Sequence, residues 1–507
     1  MSNSNLYSGK RFRLAVIHFL LGRTAQGIAS FAFTLWLVRE LFPSDYGIYM
    51  VLWGMVDMMM PLSSLGMLEA VRRFLPELAA RGAPGVLMRF VRWMMLIRFA
   101  ILLAWVALII AFWPEIASWM GFDSEQQETT KLAVWLIVTV ISFRYASEML
   151  ECLLEQRWSQ LIYAFMPIGR LTGLAILVFT DNLSLDRLIW IDLIVSCICF
   201  LLTEFILIRK LRSISGTGDY KVSVREIFIF SWDMAGVNLL RAIASAGSLR
   251  ILVARTLGLE AAGMFAFLQQ LLMIFGRYLP ANLLANIIRP MLISRYVAGE
   301  VGMVKQGMAL LWKSNLMIIC MIMATMCVAG DVVIGLVSSD RFQEAGMLMM
   351  IMLLGLGATS QGQLVVMIMQ IFLYTRQLSY FSVLSIFTPL AVIFGSVWGL
   401  VGVACGIAVS VWFMNSLILN WLNRQTGRIE LDWFSVTRGV LLAVVISFIG
   451  LIVEFQFGAW WALACVLSVY GPGLILIKPL NQSDMVLLNL GLRHRARFLK
   501  PFVRNIQ

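Results

Sequence analysis

The 507-residue chain is 60% hydrophobic and 13% charged, with a mean hydropathy of +0.86. A soluble core of this length does not need so much apolar surface, and the apolar runs are continuous rather than alternating. A soluble domain and a β-barrel are therefore excluded, leaving an all-α polytopic membrane protein. The formal net charge of +12 reads as a topology signal and as attraction to anionic headgroups, and nucleic acid is not needed to explain it.

About fourteen spans of about 20 residues are expected. In chain order they are 14–38, 46–71, 90–113, 132–154, 159–180, 188–208, 227–254, 261–288, 308–329, 343–373, 378–397, 399–421, 438–455 and 459–478. The N-terminus, Met1 to Arg13, is polar and then basic. The apolar stretch after it is too long for a signal-peptide core, so the segment is expected to be retained.

Between the first two spans lies Val38-Arg39-Glu40-Leu41-Phe42-Pro43-Ser44-Asp45-Tyr46-Gly47-Ile48-Tyr49, a tight polar turn. Ala254-Arg255-Thr256-Leu257 and Ala262-Gly263-Met264-Phe265 repeat it at one offset: 255 − 39 = 257 − 41 = 263 − 47 = 216. A constant offset with apolar runs on both sides implies a duplication, a plan common among secondary transporters. The expected divisions are an N-terminal lobe at 1–208, a linker at 209–226 with Gly216 and Gly218, a second six-helix lobe at 227–424, two extra helices in 425–480, and a basic amphipathic tail at 481–507.

Basic residues gather on one side of these spans, for example Lys10, Arg11 and Arg13, then Arg72 and Arg73, then Arg209, Lys210 and Arg212, then Arg493, Arg495 and Arg497. The opposite loops hold few, such as Arg39, Lys131 and Arg187. The positive-inside rule then places both termini in the cytoplasm. The seven cysteines lie in or beside apolar helices, and His18 and His494 do not complete a zinc pattern. Reduced structural cysteine and no bound metal are expected.

The basic residues inside spans are all arginine: Arg23, Arg98, Arg144, Arg170, Arg241, Arg250 and Arg277. Each costs about 2.5–3.5 kcal/mol near mid-bilayer and offers a donor fork suited to phosphate. Arg144 shares a helical face with Glu148, Glu151 and Glu155, so an ion-pair ladder along one helix is expected there. Arg98 lies near a helix start and is expected to snorkel. Arg241 and Arg250 lie on opposite sides of the seventh span unless it bends.

The remaining arginines fit a cavity better. Arg23 shares a face with Gln26, Arg241 with Asn238, Arg277 with Gln270, and Arg170 with Tyr163. Pairing with Asp57, Asp192 or Asp233, or with backbone carbonyls, is the structural alternative. Gln363 belongs to an uncharged stripe in the tenth span that suits either sugar hydroxyls or helix packing. Walker A and Ser-His-Asp patterns are absent, so the chain is not expected to be an enzyme and no cofactor is implied.

The run Leu37-Val38-Arg39-Glu40-Leu41-Phe42-Pro43-Ser44-Asp45-Tyr46-Gly47-Ile48-Tyr49, with Leu65-Gly66-Met67 through Val71-Arg72-Arg73-Phe74, resembles the polysaccharide transporter family. These are the Wzx-type O-antigen and exopolysaccharide flippases of the multidrug/oligosaccharidyl-lipid/polysaccharide superfamily. The resemblance implies two six-helix bundles about a cavity in a bacterial inner membrane. It also implies alternating access and an oligosaccharide on a polyprenyl pyrophosphate as substrate, with polysaccharide polymerase and chain-length proteins as partners. On that reading Arg23, Arg170, Arg241 and Arg277 would face the pyrophosphate. Gln26, Asn238, Gln270 and Gln363 would face sugar, and Asp57 and Asp233 would serve ion coupling. A lipid II-type flippase, a drug/cation antiporter, and a polymerase or scaffold subunit of polysaccharide assembly stay open as alternatives.

Overall fold

The computed structural model describes residues 9–81, 84–214, 222–282, 292, 296, 299–339, 341–342, 345–427, 429, 432–482, 484–485 and 501–503. Most of the 209–226 linker's centre, and the arginines and most apolar residues of the basic tail, lie outside these residues. The described chain is helical throughout, apart from an isolated parallel bridge between Leu480 and Val503.

The chain forms two compact units, 1–266 and 267–507. The first begins with α1 (Gly9–Glu40), α2 (Pro43–Leu62), α3 (Met67–Arg81) and α4 (Pro84–Ala111). Short helices α5 (Trp113–Trp119) and α6 (Ser124–Thr130) lead to α7 (Trp135–Cys152), α8 (Gln156–Phe179) and α9 (Leu185–Ser213). α10 (Val224–Ile243), α11 (Ala246–Leu257) and the start of α12 (Leu259–Tyr278) complete it. The boundary between units falls inside α12, because α10 and α11 pack on α2.

Local chemistry fixes the helix ends. Pro43 sits in the first turn of α2, where its missing N–H costs nothing. Ser184, Ser223 and Ser245 accept from backbone N–H groups at the starts of α9, α10 and α11. Asp123 and Gln126 form a reciprocal capping box on α6. Gly258, at φ +92, ends α11 in a conformation that a side chain would oppose.

Two breaks matter for function. α2 and α3 meet at 57° across Ser63–Gly66, where Leu65 and Gly66 both have positive φ. α10 and α11 break at Ala244–Ser245, inside the single Val224–Leu257 span. The core of this unit gathers Phe74, Leu78, Phe90, Met94, Tyr145, Met149 and Leu207 from α3, α4, α7 and α9.

The second unit contains α13 (Val301–Ser338), kinked at Ala329, and α14 (Gly346–Ile371). α15 (Thr375–Phe381) runs through a 3₁₀ segment, Ser382–Ile386, into α16 (Phe387–Gly395). α17 (Gly399–Thr426), α18 (Trp433–Phe457) and α19 (Ala459–Ile477) follow. One core lies between α13, α14 and α17, around Trp312, Leu364, Ile368 and Leu422. A second, with Val328, Ile446, Val466 and Tyr470, joins α13 to α18 and α19.

Among the described residues, eleven helices are long and apolar enough to cross a membrane, or up to twelve with the bent α2–α3 pair as one. The expected count was about fourteen, and the difference lies in two places. Arg376–Thr426 passes as a single 51-residue stretch, yet it folds back at Gly399, φ +69. α1, 32 residues long, is not among the eleven. Large apolar side chains stand exposed on the outside, including Phe179, Phe205, Phe448, Phe455 and Leu476, as lipid-facing surface requires. The protein is an all-α polytopic membrane protein.

Candidate functional site

The span arginines of the first unit do not form one bare cationic wall. Arg170, on α8, donates from Nε to Asp192 Oδ1 at 2.8 Å and from Nη2 to the Tyr49 hydroxyl. Asp192, fully buried, also accepts from Tyr49 Oη at 2.7 Å and Trp53 Nε1 at 2.9 Å. The Phe33 and Trp53 rings flank the guanidinium, each 4.3 Å from Cζ. Two guanidinium donors of Arg170, the Tyr49 hydroxyl and the Trp53 indole thus all end on partners within this cage. The structural alternative, pairing with Asp192, therefore describes Arg170.

A second cluster surrounds Asp57 and the end of α2. Arg144 Nη1 lies 3.0 Å from Asp57 Oδ1, and Arg250 Nη1 lies 3.7 Å from Oδ2. The intrahelical ladder expected for Arg144 is not what forms, because each of these acids finds a partner on another helix. Glu148 takes Arg72 from two nitrogens at 2.9 and 3.1 Å, Glu151 takes Gln160 at 2.8 Å, and Glu155 takes Lys210. Cross-helix pairs join two elements, whereas a pair along one helix adds only about 0.2–0.5 kcal/mol.

Arg98 does not snorkel. It is 3% exposed, lies over the Tyr145 ring and donates to the Met60 carbonyl at 3.1 Å. That carbonyl is in the last turn of α2, where the 57° bend and the helix dipole leave negative charge to satisfy.

The other positions are more open. Arg23 is exposed on α1 and acts electrostatically on Glu151 and Tyr163. Gln26 is half-buried one turn further. Arg241 is exposed in the last turn of α10, near the middle of the Val224–Leu257 span, and its side chain has no partner among the described residues. Asn238 is buried, and its amide is committed to Glu69 at 3.0 Å.

Asp233 is not grouped with Asp57. It lines an open cleft of about 500 Å³ between α3 and α10 with Arg73, Arg225 and Glu226. In the second unit Arg277 and Gln270 are half-buried on α12, while Gln363 is exposed on α14. Among the described residues no cluster of His, Cys, Asp and Glu could hold a metal.

A feature the arginine pattern did not reveal is the glycine seam between α2 and the α11–α12 segment. A Cβ on Gly54 would lie 2.9 Å from the Gly247 carbonyl oxygen. A Cβ on Gly263 would lie 2.9 Å from the Pro43 oxygen and 3.1 Å from the Gly47 nitrogen. The two glycines of the sequence repeat, Gly47 and Gly263, therefore face each other backbone to backbone. Only hydrogen fits at these positions.

No family model and no curated protein matches the chain. Among solved structures it is similar to a multidrug resistance transporter of the MATE family, of the MOP superfamily, in an inward-facing conformation. The TM-score is 0.65 at 13% identity, covering 81% of this chain and 98% of that one. It is also similar to the lipid II flippase MurJ in an inward closed conformation, with TM-score 0.65, 14% identity and coverage of 91% and 97%. A MATE protein in a bent conformation matches at TM-score 0.56 and 15% identity, over 84% and 98%. The chain has the fold of these transporters.

Proposed function

We propose that the protein is a flippase that moves an oligosaccharide linked to a polyprenyl pyrophosphate from the cytoplasmic to the outer leaflet of a bacterial inner membrane by alternating access, without an enzymatic step or cofactor. Arg241 carries this reading. A cation in the last turn of a helix gains about 0.3–1 kcal/mol from the dipole. The same cation inside a membrane costs about 2.5–3.5 kcal/mol. With no carboxylate beside it among the described residues, the difference calls for water or a mobile anion.

Arg23, exposed on α1, is the second pyrophosphate contact in this reading. Arg170 instead holds the Asp192 cage rigid, and Gln26, Gln270 and Gln363 remain available to sugar. Asp57, bridging Arg144 and Arg250 while about a third exposed, is the site where a coupling proton or cation would compete with two guanidinium groups. The glycine seam is the close approach that a transport cycle would open and remake. Polymerase and chain-length proteins are the partners proposed on the same reading, with both termini cytoplasmic.

The fold alone fits a lipid II-type flippase equally, and substrate discrimination tests this. Purified protein in proteoliposomes is offered fluorescent polyprenyl-pyrophosphate oligosaccharide, lipid II, or a cationic dye. Arginine-dependent movement of the first substrate supports the reading. Movement of lipid II alone assigns the alternative, and proton-driven dye export returns the antiporter.

A further inference from the structure

A second feature lies in the second unit, at the ends of α15 and α17. These run antiparallel through the hairpin at Gly399 and enclose a groove of about 400 Å³. One end is polar. Asn420 and Arg424 lie one turn apart on α17, and neither side chain has a hydrogen-bond or ion-pair partner among the described residues. Tyr380 closes that end, its hydroxyl held by Arg376 Nε at 3.0 Å, so a second guanidinium stands one turn away.

The other end is apolar, with Leu384 from the 3₁₀ segment and Leu417 from α17. Phe381 and Trp421 form a stiff wall, ring centroids 5.5 Å apart and edge to face, and Tyr374 braces Trp421 at 5.3 Å. Among the described residues no acidic side chain lines the groove.

We propose that this groove binds an anionic phospholipid, the phosphodiester meeting Arg424 and Asn420 and one acyl chain lying along Leu384 and Leu417. The polar-to-apolar order along the groove matches a lipid rather than a free ion, which would leave the leucine end empty. Two guanidinium groups without a carboxylate favour a net negative headgroup. The ammonium of a zwitterionic lipid would find no partner there. Tyrosine and tryptophan beside arginine are what a membrane–water interface selects.

The test uses the full chain purified in an uncharged detergent. Binding of phosphatidylglycerol and phosphatidylcholine is measured by native mass spectrometry and by thermal shift. Phosphatidylglycerol is expected to bind at least about tenfold more tightly, in keeping with a charge-assisted contact. Arg424→Ala is expected to reduce it to the phosphatidylcholine level, and Leu417→Trp, which fills the groove, to weaken both lipids. Arg225→Ala, a basic change on α10, should leave binding unaltered. Should Arg424→Ala purify poorly, Asn420→Ala is read instead, with a several-fold loss expected. Equal binding of the two lipids overturns the proposal. So does full retention of phosphatidylglycerol by both polar variants, or an equal thermal shift from inorganic phosphate alone.

Discussion

The glycine seam yields the sharpest prediction for Gly247→Ala. The added methyl carbon would lie 2.9 Å from the Gly54 carbonyl carbon and 3.1 Å from its Cα, nearer still to the oxygen. Carbon atoms rest about 3.5–4.0 Å apart and the oxygen is closer still, so α2 and α11 must separate by about 1 Å. A gap of that size forfeits a quarter to a half of each contact's attraction along the seam, and overpacking of this kind costs about 1–3 kcal/mol. Against this, alanine gains about 0.5–1 kcal/mol over glycine in backbone terms. The net expectation is a loss of about 1–2 kcal/mol.

Gly236→Ala is the matched control. It lies inside α10 with open space where its Cβ would go, so only the backbone gain applies and the protein should become slightly more stable. Thermal unfolding of both variants in one detergent reads the contrast. If Gly247→Ala melts at or above the unmodified protein, the seam is not the tight contact described.

Asp192→Asn should destabilise by about 3–5 kcal/mol, because it leaves the Arg170 charge buried without its counterion, and Arg170→Met added to it should restore part of the loss; detergent melting of the single and double variants checks this. Arg72→Ala, by contrast, removes a half-exposed pair with Glu148 and should shift the melting midpoint little, by at most about 1 kcal/mol.

Asp432 caps α18 through Ser435 and meets Lys313 at 3.4 Å. Partial burial works to raise its pKa, but the Ser435 hydrogen bonds and the Lys313 ammonium outweigh it and hold the carboxyl below its usual value. Its stabilisation is therefore complete above the unfolded value of about 3.9 and is lost as pH falls through the lower folded one. The stability difference between the unmodified chain and Asp432→Asn should be constant near neutrality and shrink only in acid. A difference that grows on acidification would contradict the sign.

The membrane class and the helical plan were legible in hydropathy, since apolar runs must face lipid whatever their neighbours. The repeat around Gly47 and Gly263 was legible too, although only packing shows that the two glycines meet. The fate of the arginines was not. Arg144 and Glu148 share a helical face, but spacing along one helix says nothing of Asp57 or Arg72 arriving from others. Arg98 looked like a snorkelling residue because the 57° break in α2–α3, which exposes the Met60 carbonyl to it, depends on Leu65 and Gly66 adopting positive φ. The Arg170 cage draws on Phe33, Tyr49, Trp53 and Asp192 from three other helices. An aspartate and a tryptophan inside apolar runs were its only sequence signals.

The most direct test of the proposed function is the movement of fluorescent polyprenyl-pyrophosphate oligosaccharide across proteoliposome membranes by the unmodified chain, Arg241→Ala and Arg241→Lys. Movement that alanine abolishes and lysine partly restores, with all three proteins equally folded, is the predicted result, since lysine keeps the charge and loses the fork. Unimpaired movement by Arg241→Ala, or none by the unmodified chain with a substrate from its native pathway, would contradict it.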